Sequence, residues 1–532
     1  MTAPATATPA TATPAKATPS GPATLSRRAE QLLERFGDRE SLLFEGTWHR
    51  SAALAERSHR AAAGFVALGV TPGARVLVMM ANCPEVGLTY QAVWRAGGVA
   101  TPVLFLLTEQ ELHHVADDSG AVVFVTTPEF LPKVLACAGG RPVVVVGETT
   151  DPAVNIVPWS HLEQSNELAI VDRDVTDLAA LLYTGGTTGR SKGVALSHAA
   201  LDAAGSAAAD AAYSPGRVRS LLPLPLAHAY GLLVTVGGLH ARESGSAILM
   251  RWFDPAGFVQ LVEQHRVQVS ALVPSMIQML LAQPLESHDL SCLERVSSGG
   301  APLADEVAHE FERRIPSCEI REGYGCTESS ALISGQPADA RRVGSVGKPV
   351  SGVEVRIESP EGEILPAGVD GEICVRGAVL MSGYWNSPEA TAETLRGGWL
   401  HTGDVGRFDE DGYLYVVDRI KDLNIRGGFN VYPRDVEDAL LAHPLVVAAA
   451  AVGKPDLILG EEVIAFVTLA PGAQVSAEEV IGFVKQRVGA HKYPREIFFV
   501  DQVPLTSVGK TDRKAVRVAL ALLDAGVPGD QA

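Results

Sequence analysis

From residue 25 onward, short runs of β-branched and apolar residues alternate with alanine-rich stretches, and this alternation admits few architectures. "RVLVMMAN" (75–82), "AVVFVTT" (121–127) and "RPVVVVGE" (141–148) read as strands bounded by turn residues. "PEVGLTYQAVWRAGG" (84–98) and "AAGSAAADAA" (203–212) read as helices. Strands that alternate with helices predict an α/β fold with mixed, largely parallel sheets. Beyond about residue 340 the spacing tightens, and "GVEVRIE", "GEICVRG" and "GYLYVVDR" read as a small β subdomain with Gly/Asp turns. After "DRIKD" (418–422) a βαβ-like region begins. The expected division is an N-terminal domain over 25–418 and a small, mobile α+β domain over 419–532. At 532 residues the chain exceeds what one hydrophobic core usually serves. Residues 1–24 are low-complexity Ala/Thr/Pro without an apolar signal core or an arginine-rich face, and are expected to be a disordered tail.

The net charge of −18 argues against nucleic acid or anionic lipid as a main partner. An anionic substrate must then be held by local cations and backbone amides. Six scattered cysteines without a CxxC pair suit free thiols in a reducing compartment. No apolar stretch is long enough to predict a membrane span. A cytoplasmic protein is expected.

"YTGGTTGRSKG" (183–193) holds four glycines, three threonines, two cations and no acid. Glycine lets the backbone approach a ligand, and consecutive N–H groups form a concave anion site. Threonine hydroxyls add neutral donors and Lys192 a point charge, so the loop is suited to a polyphosphate. It is neither a Walker loop, which needs glycine before the lysine and Ser/Thr after it, nor a GxGxxG. The plain alternative is a solvated turn between two strands.

This loop resembles the phosphate loop of the adenylate-forming acyl-CoA synthetase (ANL) superfamily. Gly185 replaces a usual serine and Ser191 a usual proline, so function is expected to be retained with weaker ATP binding. Further motifs agree in order. "SSGGAPL" (297–303) resembles the family stretch beside adenine, "EGYGCTESS" (322–330) its Y-G-x-T-E signature, and "GWLHTGDVGRFDEDGYLYVVDRIKD" (398–422) its ribose-binding region. "NIRGGFNVYPRDVE" (424–437) resembles a glycine-rich loop lining the pantetheine tunnel, and "PLTSVGKTDRKAV" (504–516) the C-terminal P-x-T-x-x-G-K motif. Only ten residues of the chain are lysine, and Lys192, Lys421 and Lys510 each fall at a motif position. The resemblance spans roughly residues 25–520, and site residues rather than fold analogy carry it.

The resemblance implies roles. Lys510, Lys192, Glu328 and Thr327 would be catalytic. ATP and AMP would be held by Thr184, Gly185, Gly186, Thr187, Thr188, Gly189 and Lys192, by Gly300, Ala301 and Pro302, and by Glu322, Gly323, Tyr324, Gly325 and Thr327. Asp404, Arg419 and Lys510 would complete that set. Tyr324 would face adenine, and Asp404 would accept two ribose hydroxyls. Glu328, with Thr184, would hold Mg²⁺, a hard cation that takes carboxylate and phosphate oxygens. Lys421 would be the interdomain hinge, and Gly427 and Gly428 would line the coenzyme A tunnel.

The implied reaction is attack of a carboxylate on the α-phosphorus of ATP, giving acyl-AMP and pyrophosphate, then transfer of the acyl group to coenzyme A. Two anions must meet in the first step, and Mg²⁺ and Lys510 would offset their repulsion. His228, Tyr230, Gly299, Val346 and Gly347 are the candidate acyl pocket. No charged reader stands in "LPLAHAYGLL" or "ALVPSMIQML", and aromatics are 6% of the chain, so a fatty acid is favoured over an aryl acid. An aryl-CoA ligase of coumarate or benzoate type, a ligase loading a carrier protein, a phosphotransferring P-loop NTPase and a non-catalytic nucleotide-binding homologue are the alternatives. A homodimer is left open.

Overall fold

The computed structural model describes residues 21–184, 191–427, 429–505 and 511–524. Its first helix, α1 (Leu25–Phe36), begins where the low-complexity composition ends. Residues 1–20 of the expected tail lie outside the described residues. Residues 21–24 differ from the expectation of a free tail, because Arg28 donates to Gly21 O and Ala23 N donates to Asp202. The cause is a buried ion pair that no local pattern announces. Arg28 Nη2 lies 2.8 Å from Asp202 Oδ2, both side chains are 6% exposed, and His240 Nε2 stands 2.9 Å from the other carboxylate oxygen.

The first large sheet has eight strands. Arg75–Met79 runs parallel between Val99–Pro102 and Val123–Thr126, and the parallel run continues through Val143–Val145 to Ile156–Pro158. The helix Pro84–Arg95 has Pro in its first turn, Glu85 near its N-terminus and Arg95 in its last turn, all matched to the helix dipole. It buries Val86, Tyr90, Val93 and Trp94 at helical spacing. On the other side Val99–Pro102 meets β1 (Leu178–Thr184) in parallel. β1 then pairs antiparallel with β2 (Lys192–Ser197), with Thr184 opposite Lys192, and the short strand Gly383–Tyr384 pairs along the far side of β2.

The second sheet has nine strands, among them the parallel series Arg219–Leu222, Val269–Leu272, Arg295–Ser298 and β3 (Glu319–Tyr324). Ser298 pairs with Glu322, so the chain leaves its strand at Gly299 beside Gly323, while β3 runs on to Tyr324 and pairs antiparallel with Ser334–Gly335. Ligands in parallel sheets bind at this carboxyl end. One apolar cluster, with Phe65, Trp94, Leu182, Leu232, Ile333 and Ile373 among its members, joins both sheets to the β subdomain. Each such side chain contributes roughly 1.5–3 kcal/mol when fully buried.

The β subdomain pairs Val353–Glu358, Gly371–Gly377, β4 (Trp399–Phe408) and β5 (Leu414–Arg419) antiparallel. The expected Asp-Gly hairpin joins β4 to β5. Asp409 accepts from Asp411 N and Tyr413 N, and Gly412 takes φ 79° at the turn. Beyond β5 come the turn Ile420–Asp422, β6 (Asn424–Arg426), α2 (Pro433–Leu441) and the long antiparallel pair Val446–Asp456 and Gly460–Leu469. Gly460–Leu469, the helix Ala477–Lys485 and the parallel strand Glu496–Phe499 form a βαβ unit, and α3 (Arg513–Asp524) ends the described chain. Apolar side chains cover both faces of this last sheet: Val436, Leu440, Val480 and Val484 on one, Val452, Phe466, Val516 and Leu520 on the other. No helix among the described residues is long and apolar enough to cross a membrane. All six cysteines are free.

The Arg28–Asp202 pair holds α1 against the helix His198–Ala212. Asp202→Ala would leave a buried guanidinium uncompensated, a loss of about 3–5 kcal/mol. A lower denaturant midpoint with an unchanged slope is the expected result.

Candidate active site

Two clusters of polar side chains meet at the carboxyl end of β3. The first centres on Asp404. Its Oδ2 accepts from the Tyr324 hydroxyl at 2.6 Å, and its Oδ1 accepts from Arg419 Nε at 2.9 Å. The antiparallel register of β4 and β5 sets Asp404 directly opposite Arg419, so the hairpin itself builds this pair. The Asp404 side chain is 7% exposed, whereas Arg419 is half exposed. Burial and the Asp404 charge raise the Tyr324 phenol well above its usual value, so it stays protonated and donates. Both oxygens of Asp404 thus already accept one protein donor. A ribose diol would use the remaining lone pairs of the same carboxylate.

The second cluster centres on Glu328, four residues beyond Tyr324. Its Oε1 accepts from the Tyr384 hydroxyl at 2.7 Å, and its backbone O accepts from Met381 N. Lys192 Nζ lies 5.1 Å from the centre of the same Tyr384 ring, within cation–π range. Thr184, the register partner of Lys192, completes this side. The link between the clusters is tight: a Cβ on Gly325 would come within 2.4 Å of the Ala331 backbone, so only glycine fits there. Glu328 Oε2 has no hydrogen-bond partner among the described residues. A hard carboxylate oxygen fits Mg²⁺ chemistry.

Tyr384 is the main site residue that the sequence reading missed. Its neighbour Trp385 donates from Nε1 to Asp118 O, and Tyr183 donates from its hydroxyl to Asp118 Oδ2. His114 Nε2 lies 2.8 Å from Ser191 O. These contacts brace both ends of the 185–190 segment. The available signal was the "GYW" triplet at 383–385, an aromatic pair behind a glycine.

The other expected residues divide. Gly299 lies at the end of Arg295–Ser298, where a Cβ would stand 3.4 Å from Gly323 O and 3.6 Å from the Tyr230 ring. Gly300 has φ 85°. Ala301 and Pro302 follow in the same loop. Tyr230 donates to Ser297 O at 3.1 Å, which sets its ring beside the glycines. His228 is the N-cap of the helix Ala229–Gly238, with Nδ1 accepting from Tyr230 N at 3.3 Å. Val346 is half-buried against the main core, and Gly347, with φ 82°, crosses so close to Gly335 that a Cβ would meet its carbonyl oxygen at 2.1 Å. Thr327 and Glu328 open the 3₁₀ turn after the β3 loop. Lys421 lies in the turn Ile420–Asp422, and Gly427, with φ 58°, donates to Leu459 O. Gly185, Gly186, Thr187, Thr188, Gly189, Gly428 and Lys510 lie outside the described residues.

Glu322, two residues before Tyr324 on β3, lies within reach of the charges Arg434 and Asp438 on α2. Burial pushes its carboxyl up to about 7; Asp305 and Asp438 push the same way, while Arg434 and Arg341 oppose them. Its folded value lies above the 4.5 usual for a glutamate, so its stabilising contribution is complete at low pH and is lost as pH rises toward the folded value. Glu322→Gln removes that loss. The melting temperature of the variant should gain on that of the parent between about pH 5 and pH 8, and parallel curves over this range would refute it.

Comparison with known proteins agrees with this geometry. The family model described as "AMP-binding enzyme" matches residues 29–385, and "AMP-binding enzyme C-terminal domain" matches residues 435–510. The chain is 38% identical over 476 residues to a feruloyl-CoA synthase of Amycolatopsis sp, covering 89% of this chain and 94% of that protein. It is 35% identical over 520 residues to 4-coumarate–CoA ligase 5 of Oryza sativa subsp. japonica, covering 94% and 95%. ATP-bound MatB from Rhodopseudomonas palustris superposes with a TM-score of 0.84 at 33% identity, covering 93% of this chain and 98% of that one. The chain belongs to the AMP-binding enzyme family, as an adenylate-forming ligase of the ANL superfamily.

Proposed function

We propose that the protein is an AMP-forming aryl-acid–CoA ligase, which activates a carboxylic acid of the hydroxycinnamate class as its adenylate and passes the acyl group to coenzyme A. The observation that carries the two-step chemistry is the adjacency of the Tyr324–Asp404–Arg419 and Glu328–Tyr384–Lys192 clusters. One presents acceptor and cation to a ribose and α-phosphate. The other presents a carboxylate and a lysine to the phosphates beyond.

In the first step the substrate carboxylate oxygen bonds to the α-phosphorus and the bond to pyrophosphate breaks. Lys192 and the amides and hydroxyls of the 184–193 loop receive the departing charge, and Lys510 offsets repulsion between the two anions. Preorganised donors of this kind are worth roughly 3–4 kcal/mol each. Mg²⁺, held by Glu328 and Thr184, would supply further positive charge to the phosphate oxygens. In the second step the thiol sulfur of coenzyme A bonds to the acyl carbon, AMP leaves, and the thiol proton passes to solvent. We read Lys421 as the hinge about which residues 419–532 turn between the steps, withdrawing Lys510 and presenting the Gly427–Gly428 loop to the thiol.

An aryl acid replaces the fatty acid favoured from composition. A chain-wide aromatic content of 6% does not register one well-placed ring, and the Tyr230 face beside Gly299 makes a flat wall suited to an aromatic substrate. The named activities of the feruloyl-CoA and coumarate–CoA relatives support the same choice.

Pyrophosphate release across a panel of hydroxycinnamates, benzoates and straight-chain acids tests this. Hydroxycinnamates should give the highest kcat/KM; a preference for straight chains would reverse the reading. Lys510→Ala should abolish most adenylation yet spare thioester formation from supplied acyl-AMP, and equal loss in both would refute the division of labour. Tyr384→Phe removes one hydrogen bond to a charged group, so pyrophosphate release should fall about tenfold or more with the acid KM little changed.

A further inference from the structure

The turn Ile420–Asp422 is crossed by more than its own backbone. On its N-terminal side, at the end of β5, stands Asp418, with a side chain only 3% exposed. Its Oδ2 accepts from Arg434 N at 2.9 Å, and Arg434 is the second residue of α2, on the far side of Lys421. Its Oδ1 accepts from Arg419 N at 2.8 Å and lies 3.5 Å from Arg513 Nη1, also from beyond the turn. A buried carboxylate at the first turn of a helix satisfies an orphan N–H and faces the positive end of the dipole. Asp418 therefore caps α2 from the opposite side of the hinge.

The same contact reaches the catalytic segment. Arg513 is the first residue of α3, three positions after Lys510. Its guanidinium binds Glu437 at 2.7 Å and lies 3.3 Å from Asp422. Glu437 is fixed in turn by Ala451 N at 2.9 Å, on the edge strand Val446–Asp456 of the last sheet. Arg434 adds a second crossing, its Nη1 donating to Val416 O at 2.6 Å. Ile425 and Phe429, which flank the glycine loop, are 53% and 61% exposed, so that loop is not seated on the nucleotide site in this arrangement.

We propose that Asp418 is a positioning residue, a cross-hinge cap that, together with Arg513, holds α2 and α3 in the arrangement that serves acyl-adenylate formation. This rests on the two-step reading above. Rotation about Lys421 carries Arg434 and Arg513 away from Asp418 and uncaps α2. The cap thereby biases the balance between the two half-reactions without touching substrate.

The test measures the two half-reactions separately on the full-length enzyme: acid-dependent pyrophosphate exchange, and thioester formation from supplied acyl-AMP and coenzyme A. In Asp418→Ala and Arg513→Gln, exchange should fall about tenfold while thioester formation changes by less than about threefold. Asp418→Asn keeps an acceptor for Arg434 N and should recover part of the exchange rate. Arg513→Gln lies away from Arg419, so a matching pattern in both variants excludes damage to the nucleotide site as the cause. An equal fall in both half-reactions, or an unchanged exchange rate, overturns the inference. Lys510→Ala is run alongside. Persistent exchange in that variant defeats the two-step reading itself, whereas its loss beside an even-handed effect of the Asp418 and Arg513 variants defeats only the cap.

Discussion

Asp404 ties three parts of the molecule together at one carboxylate. Tyr324 reaches it from the end of the parallel sheet, Arg419 from the strand that runs on toward the C-terminal unit, and its own strand belongs to the β subdomain. A buried acid is costly unless it is paired and hydrogen-bonded, and here the pairing is supplied by groups from separate elements. The result is a fixed anionic point at the rim of a sheet whose strand ends converge there. The glycine pair after Ser298, the Glu328 turn and the turn Ile420–Asp422 beyond Arg419 are the neighbouring segments in which the proposed nucleotide contacts fall.

The protein is acidic overall, yet its reaction joins anions. The structure meets this by local arrangement instead of bulk charge. Lys192 leans on an aromatic face, which directs its charge without a neutralising carboxylate against it. Carboxylates at the interface between β3 and α2 go the other way: burial raises Glu322 and Asp438, so the contact between the two units is less charged than its composition suggests. The same residue types serve opposite ends in two places separated by a few residues of β3.

Much of this was legible in the sequence because it is local. The Asp-Gly turn fixes the β4–β5 register, and the register alone brings Asp404 against Arg419. The alternation of strands and helices announced the parallel sheets. What was not legible depends on partners far apart along the chain. Tyr384 reaches Glu328 only because Gly383–Tyr384 pairs along β2, across nearly two hundred residues. Residues 21–24 are held by Asp202 at similar remove, so composition drew the tail too long. That His228 caps the helix starting at Ala229 was not legible either, because a histidine near a pocket carries no mark of a cap. The substrate class was not legible for a related reason, since an average over the chain says nothing about where one ring sits.

The last sheet carries apolar packing on both of its faces. A layer sandwiched in this way owes its cohesion to itself, and the remainder of the polypeptide supplies it with a tether and a few polar docking points. Every member of its two apolar clusters lies within residues 431–523, so its burial of oily surface does not depend on the larger body.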